Sequence, residues 1–78
     1  MKRGKVVAQF WATKRIDTLP KGPLLEVELT SGTRIIAFDP LGCGNGESVL
    51  ITTGSVAAAW FGEKKVGIDA VIIGSLEK

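Results

Sequence analysis

The sequence predicts an all-β protein, in which five short strands form a small, closed or nearly closed barrel and one short helix lies between strands four and five. Five apolar or alternating segments are separated by turns that are rich in glycine and proline. The one clear helical signal is a brief alanine-rich run after the fourth segment. The 78 residues, of which 45% are hydrophobic, are enough for a single small domain spanning 1–78.

The first strand is predicted over residues 3–13. Val6 and Phe10 fall on one face of this segment and Trp11 on the other, so both faces carry large apolar groups. One interpretation is that one face lines the barrel core and the other contacts a second subunit. The alternative is that Trp11 shields the end of the barrel, and the pattern does not decide between them.

Residues 14–23 are predicted to be an ordered loop, because they have no hydropathy period and contain Pro20, Gly22 and Pro23. Prolines restrict the backbone, which favours a fixed excursion over a loose linker. The second strand follows at residues 25–29, where leucine and valine alternate with glutamate. This alternation places one face in the core and the other in water.

The third strand is predicted over residues 33–38, after a turn at residues 30–32. Asp39 and Pro40 end it, because proline has no N–H to donate to a neighbouring strand. We expect Asp39 to cap the turn that follows, since aspartate side chains accept hydrogen bonds from nearby backbone N–H groups.

The following segment, residues 42–46, has glycine at every second position. Alternate glycines allow positive φ angles and close approach of backbones. Asn45 and Gly46 form a strong hairpin signal. Cys43 lies between two glycines, and we expect its side chain to be exposed.

The fourth strand is predicted over residues 48–53. Ser55 is a good N-cap for a helix over residues 56–61, and Gly62 is typical of the position just after a helix. A polar turn at residues 63–67 and a last, largely apolar strand over residues 70–76 complete the chain.

The composition predicts that this small barrel is stabilised by association. Cys43 is the only cysteine, so no disulfide can form within the chain, and there is no histidine, the commonest metal ligand. The mean hydropathy is +0.24, which is high for a barrel of this size. Of the means by which small domains are stabilised, oligomerisation is the one that remains.

The charge is unevenly distributed along the chain. Residues 1–21 hold six basic residues and one acidic residue, whereas residues 22–78 hold four basic and seven acidic residues. The simplest explanation is that these groups are solvated strand ends. The alternatives are contact with an acidic neighbouring protein and attraction of anions towards one face.

Several classes of function are disfavoured by the residues present. Without histidine or tyrosine, and with Cys43 lacking an evident activating partner, the sequence predicts no catalytic residue, cofactor-binding residue or metal ligand. Binding of nucleic acid would need exposed aromatic residues beside a basic groove, whereas Phe10, Trp11 and Phe38 lie in patterns that indicate burial. The chain has no visible signal peptide or membrane span, so we expect it to be cytoplasmic.

Three motifs, in order, resemble those of the pentameric vertex proteins of bacterial microcompartment shells, a family with carboxysome and ethanolamine-utilisation members. The first is residues 12–15, followed by Leu24 and Leu25, and the last is residues 68–74. The central motif comprises Asp39, Gly42, Gly44, Glu47, Val49, Leu50, Gly54, Ser55 and Ala57.

The resemblance implies a barrel related to the oligonucleotide-binding (OB-like) fold and a structural, non-enzymatic role as a homopentamer at the vertices of the shell. It implies hexameric shell proteins as partners, with no nucleic acid or membrane. The loop near the five-fold axis would comprise Gly42, Cys43, Gly44, Asn45 and Gly46. Subunit contacts would involve Trp11, Ser55, Trp60 and Phe61. The family has an arginine where this chain has Ala58, and Trp60 and Phe61 are expected to replace its contacts by apolar burial.

Overall fold

The computed structural model describes residues 1–62 and 67–77. The predicted polar turn at residues 63–67 lies outside this part of the chain, except for Gly67. In chain order the elements are β1 (Lys2–Phe10), β2 (Leu24–Leu29), β3 (Arg34–Phe38), β4 (Ser48–Thr53), α1 (Gly54–Trp60) and β5 (Ala70–Leu76). The predicted fold class is confirmed, including the position of the single short helix between strands four and five.

The five strands form a closed barrel in the order β1-β2-β3-β5-β4, and β4 pairs with β1 to complete the circle. Every pairing is antiparallel except that of β3 with β5, which is parallel and joins only Phe38 to Val71. Closure gives most strands a partner on each side, which satisfies their main-chain hydrogen-bonding groups. The β3–β5 junction is therefore the shortest seam in the barrel.

Aliphatic side chains from all five strands fill the barrel. Most come from alternate positions, because successive side chains on a strand point to opposite faces, but the adjacent Val71 and Ile72 are both fully buried. Burial of this apolar surface supplies the main stabilising term, about 25 cal/mol for each Å² removed from water. The largest fully buried side chains are Leu25, Ile51, Ile72, Val6, Val27, Val49 and Val71.

Strand β1 differs most from the prediction. It ends at Phe10, and its pairing with β2 shifts register between Val6 and Ala8. Such a bulge inserts one residue and changes which side chains face the core beyond it. The expected burial of Phe10 within the barrel is therefore wrong, since it is 47% exposed, and Trp11, which follows the strand, is 65% exposed in the single subunit.

The boundaries of α1 also correct one prediction. The helix begins at Gly54 and its N-cap is Thr53, so Ser55 lies inside the first turn and is not the cap. The N–H of Gly54 donates to the main-chain carbonyl of Asp69 at 2.8 Å, which fixes the turn out of β4 one residue earlier than expected. Gly62 has a φ of +77° directly after the C-cap, so its predicted role at the helix end is confirmed.

We expect Gly4→Ala to lower the free energy of unfolding by about 1–3 kcal/mol, as overpacking of a filled site typically does. A Cβ at Gly4 would lie 2.5 Å from Cγ1 of Val27 and 2.8 Å from the carbonyl oxygen of Glu28. The oxygen belongs to the backbone of β2 and cannot rotate away. Urea unfolding at matched protein concentration measures the loss.

Gly74→Ala is the matched control, because the nearest atom to its added Cβ is that of Leu50 at 3.8 Å, an ordinary contact distance. It should leave stability within about 1 kcal/mol of the parent. Equal unfolding midpoints for the two variants would contradict the tight approach of β1 to β2.

Candidate assembly surface

The carboxylate of Asp39 organises the loop that follows β3. It accepts hydrogen bonds from the backbone N–H groups of Leu41 at 2.9 Å, Gly42 at 3.2 Å and Cys43 at 2.6 Å. Asp39 is only 2% exposed, so these bonds replace the water that its charge would otherwise require. The predicted role of Asp39 in capping the turn is confirmed.

Cys43 is buried, which corrects the expectation that it is exposed. It is 6% exposed and belongs to the aliphatic core. The hydrogen bonds to Asp39 bend the loop inward, so Cys43 enters the barrel although glycines flank it. Burial raises the pKa of the Cys43 thiol to about 11, and the nearby carboxylates of Asp39 and Glu47 contribute to this rise. The thiolate is therefore scarce at neutral pH, which argues against a nucleophilic role.

The rest of this loop is attached to β1. The N–H of Val6 donates to the carbonyl of Glu47 at 3.0 Å, and the N–H of Gly46 donates to the carbonyl of Val6 at 2.8 Å. A turn closes where the N–H of Glu47 donates to the carbonyl of Gly44 at 3.2 Å. Asn45 and Gly46 thus form a turn within the loop, although β3 and β4 on either side of the loop are not paired as a hairpin.

The carboxylate of Glu47 is held beside the end of β5. It accepts hydrogen bonds from the backbone of Gly44 and from the hydroxyl of Ser75, the latter at 3.0 Å. These bonds favour the charged form and lower the pKa of Glu47. A fixed negative charge therefore lies next to the loop at residues 42–46.

Two of the three glycines of this loop are required by backbone conformation. Gly42 and Gly46 have φ angles of +87° and +86°, which L-amino acids with a side chain rarely adopt. A Cβ at either position would have no atom of this subunit within 4 Å. The loop therefore exposes Gly42, Asn45 and Gly46 on its outer side, while Cys43 faces inward.

An aromatic cluster lies at the end of α1. The ring of Phe61 packs edge-on against Phe38, with 5.6 Å between centroids, and against Trp60, with 4.9 Å. Phe38 is buried, whereas Trp60 is 52% exposed. One side of the Trp60 indole is therefore anchored within its own subunit and the other is open.

The loop at residues 11–21 forms a groove with this cluster, which we call the aromatic groove. Trp60 and Phe61 form one wall, and Trp11 lies on the far side of the loop. Two adjoining depressions make up the groove, and both are lined by Arg15, Leu19, Pro20 and Lys21. The floor is apolar and the rim carries basic charge.

Three of the four predicted contact residues therefore lie on one surface: Trp11, Trp60 and Phe61. Ser55 is exposed at the start of α1 and does not line the groove. Sequence reasoning missed Leu19 and Pro20, which form the ridge between the two depressions. The prolines of this loop were the signal that could have identified these two residues, because they predict an ordered loop whose side chains have fixed positions.

Within residues 1–62 and 67–77, no three His, Cys, Asp or Glu side chains are grouped to hold a metal ion. No helix in that part of the chain is long and apolar enough to cross a membrane.

We expect Cys43 to react slowly with iodoacetamide in the native protein. A shift of the pKa from 9.0 to about 11 lowers the thiolate fraction at pH 8 by about 100-fold, since each pKa unit is tenfold, and burial slows access further. Mass spectrometry of timed samples measures labelling, and urea should restore it. Complete labelling of the folded protein within seconds would contradict the burial of Cys43.

The raised pKa of Cys43 also makes the free energy of unfolding depend on pH. Because the unfolded chain loses this proton at lower pH than the folded chain, the stability contributed by the neutral thiol should fall as the pH rises from about 9 to about 11. Cys43→Ala removes the group, so the difference between the two unfolding curves isolates its effect. A difference that does not change over this range would contradict the raised pKa.

Known proteins are similar to this chain over nearly its whole length. Residues 1–76 match the family described as ethanolamine utilisation protein EutN/carboxysome. The carboxysome shell vertex protein CsoS4A of Hydrogenovibrio crunogenus is 37% identical over 79 residues, which cover 100% of this chain and 88% of that protein.

Two solved structures share the fold over nearly the whole chain. The pentameric shell protein from the RMM microcompartment has a TM-score of 0.89 and is 52% identical, covering 97% of this chain and 100% of its own. The ethanolamine utilisation protein EutN also has a TM-score of 0.89 and is 31% identical, covering 100% of this chain and 88% of its own. This chain is a member of the EutN/CcmL family.

Proposed function

We propose that this protein is a structural component of a bacterial microcompartment shell, in which it forms a closed homopentamer that caps the vertices. Two relatives support this role directly: one is a carboxysome shell vertex protein and the other is a pentameric shell protein. The family and these relatives are shell components, so the protein is assigned a structural and not an enzymatic role.

The observation that carries the proposal is the apolar surface that the barrel leaves uncovered. Among the described residues, ten large hydrophobic side chains are between 36% and 82% exposed. Exposed apolar side chains that lie together mark an interaction site, whereas single ones are normal on a protein surface. These residues are Met1, Phe10, Trp11, Ile16, Ile36, Leu41, Val56, Trp60, Ile73 and Leu76. Of these, Trp11 and Trp60 lie together at the aromatic groove and are assigned to the interface, whereas Val56 does not line the groove.

A closed ring of subunits covers exposed apolar surface and also provides the five-fold unit that a shell vertex needs. A head-to-tail interface joins two different patches, and it closes into a ring when the rotation between neighbours divides the circle evenly. A shell tiled by hexamers stays flat unless five-fold units are placed at its corners. The number of subunits in the ring is then itself the function.

Trp11, Ser55, Trp60 and Phe61 are assigned to the contacts between subunits. Trp60 is the best candidate for an energetic centre, because its ring is held in place by Phe61 before assembly. A pre-positioned aromatic side chain loses little conformational freedom on binding, and tryptophan is enriched among residues that dominate interfaces.

The loop at residues 42–46 is assigned to the five-fold axis. Asn45 is the exposed side chain that would border a central opening, since Cys43 is buried in the core. The outer edges of the pentamer would dock against hexameric shell proteins. The nucleic-acid alternative has the exposed Phe10 and Trp11 in its favour, but the named relatives are shell proteins.

The direct test is the mass of the native protein in solution. The monomer mass is 8.3 kDa, so analytical ultracentrifugation or native mass spectrometry at micromolar concentration should give five times that value. The assembly should persist on dilution to the nanomolar range. A monomer at micromolar concentration would overturn the proposal.

Trp60→Ala should weaken this assembly. Truncation of a central interface tryptophan costs about 2 kcal/mol or more, which corresponds to at least about a 30-fold weaker contact. Sedimentation velocity across a dilution series measures the shift, and circular dichroism shows whether the barrel still folds.

Val56→Ala is the matched control, because Val56 lies on the same helix, is 67% exposed and does not line the aromatic groove. It should leave the dilution midpoint of the ring unchanged. If Trp60→Ala and Val56→Ala behave alike, Trp60 has no special role in assembly.

A further inference from the structure

We propose that Asn45 is a site of spontaneous deamidation, and that the hydrogen bond from the N–H of Gly46 to Val6 blocks the reaction while the loop at residues 42–46 is folded. This chemistry is separate from the proposed role in a shell. It depends only on the geometry of the loop within one subunit.

Asn45 and Gly46 carry the groups that react. The backbone nitrogen of Gly46 attacks the side-chain carbonyl carbon of Asn45, and the new bond closes a succinimide ring. The attacking nitrogen loses its proton, the bond from that carbon to the side-chain nitrogen breaks, and ammonia leaves. Glycine has no Cβ to obstruct the approach, so asparagine followed by glycine is the sequence in which this reaction is fastest.

Water then opens the succinimide. Its addition at one of the two ring carbonyls breaks a C–N bond and gives either aspartate or isoaspartate. One water is consumed and one ammonia is released, so the reaction needs no oxidant or reductant. Asn45 is exposed, and within residues 1–62 and 67–77 no hydrogen bond holds its side-chain amide. The carbonyl that is attacked is therefore unprotected.

The nitrogen of Gly46, in contrast, is held by β1. Its N–H donates to the main-chain carbonyl of Val6 at 2.8 Å, and the N–H of Val6 donates to the carbonyl of Glu47 at 3.0 Å. These two bonds fix the chain on both sides of Gly46, where φ is +86°. Attack requires the nitrogen to lose the proton that it donates to Val6. The reaction therefore proceeds from a locally opened loop.

The turn around the reacting pair is closed as well. The N–H of Glu47 donates to the carbonyl of Gly44 at 3.2 Å, so Asn45 and Gly46 are the central residues of this turn. The carboxylate of Glu47 accepts a hydrogen bond from the hydroxyl of Ser75 at 3.0 Å, which ties the turn to β5. Movement of the Gly46 nitrogen towards the side chain of Asn45 therefore opens a turn that two strands hold in place.

The product places a new carboxylate beside Glu47. Hydrogen bonds from Gly44 and Ser75 lower the pKa of Glu47, so its side chain is already charged at neutral pH. Each deamidated subunit gains one more negative charge next to it, and like charges repel. In the proposed ring five copies of this loop converge, so deamidation is expected to weaken the ring. This consequence, unlike the reaction itself, rests on the proposed function.

The composition makes the reaction simple to follow, because Asn45 is the only asparagine of the chain. Mass spectrometry of the whole protein at mildly alkaline pH counts the conversion of amide to acid, and peptide mapping locates it. In guanidinium chloride the unfolded chain should react at least about tenfold faster than the folded protein. Asn45→Gln is the control, because its longer side chain has to close a larger ring, and it should stay unmodified in both conditions. Equal rates for the folded and the unfolded parent would overturn the proposal.

Hydrogen exchange at Gly46 tests the bond to Val6. Exchange and deamidation both require release of the same N–H, so folding should slow the two by similar factors. A Gly46 amide that exchanges as fast as in the unfolded chain would contradict this. Subunits separated by dilution or by Trp60→Ala should protect Asn45 as well as the parent does, provided that circular dichroism shows a folded barrel. Loss of protection on separation would assign it to a neighbouring subunit and overturn the role of Val6.

The effect on assembly is tested with Asn45→Asp, which introduces the charge of the product. Its ring should dissociate at a protein concentration at least about threefold higher than that of the parent. Ser31→Asp adds the same charge at an exposed turn that lines none of the depressions described above, and it should match the parent. Equal midpoints for the two variants would overturn the convergence of the loops. A monomeric parent would overturn the proposed ring, and the rates at Asn45 would still decide the chemistry.

Discussion

The closure of five short strands into one barrel is the constraint on which the other features depend. A barrel of 78 residues can enclose aliphatic side chains such as Leu25 and Ile51, but it has no volume left for its tryptophans. The fraction of surface that a domain buries falls as the domain becomes smaller. Exposed apolar surface therefore follows from the size of the fold, and association with further copies removes it from water.

The same closure determines where the chain must leave the barrel. Because β5 lies between β3 and β4, the chain after Phe38 cannot turn back into an adjacent strand and has to cross to β4 by way of a loop. Asp39 stabilises that crossing with three backbone hydrogen bonds. The loop thereby gains a fixed shape without a hairpin, and Cys43 enters the core as a small apolar group. A loop of fixed shape suits the position at the five-fold axis that is proposed for it.

The proposed assembly would cover groups that a single subunit leaves exposed, so it would complete the burial that the fold of one chain begins. The seam between β3 and β5 leaves a strand edge open, and the aromatic cluster leaves one face of Trp60 bare. Both leave apolar or unpaired groups exposed in an isolated barrel, and the proposed ring offers a way to cover them. This also explains how a chain without disulfides or a grouped metal site in its described part can be stable at this size.

The sequence by itself determined the features that depend on neighbouring residues. Strands β4 and β5 were predicted with the boundaries that the structure has, and the roles of Asp39 and Gly62 follow from hydrogen bonds and φ angles within a few residues. Only the tertiary structure decided the bulge in β1, the exposure of Trp11, the burial of Cys43 and the insertion of β5 between β3 and β4. These features depend on the register between strands far apart in the chain, which no local pattern of residues encodes.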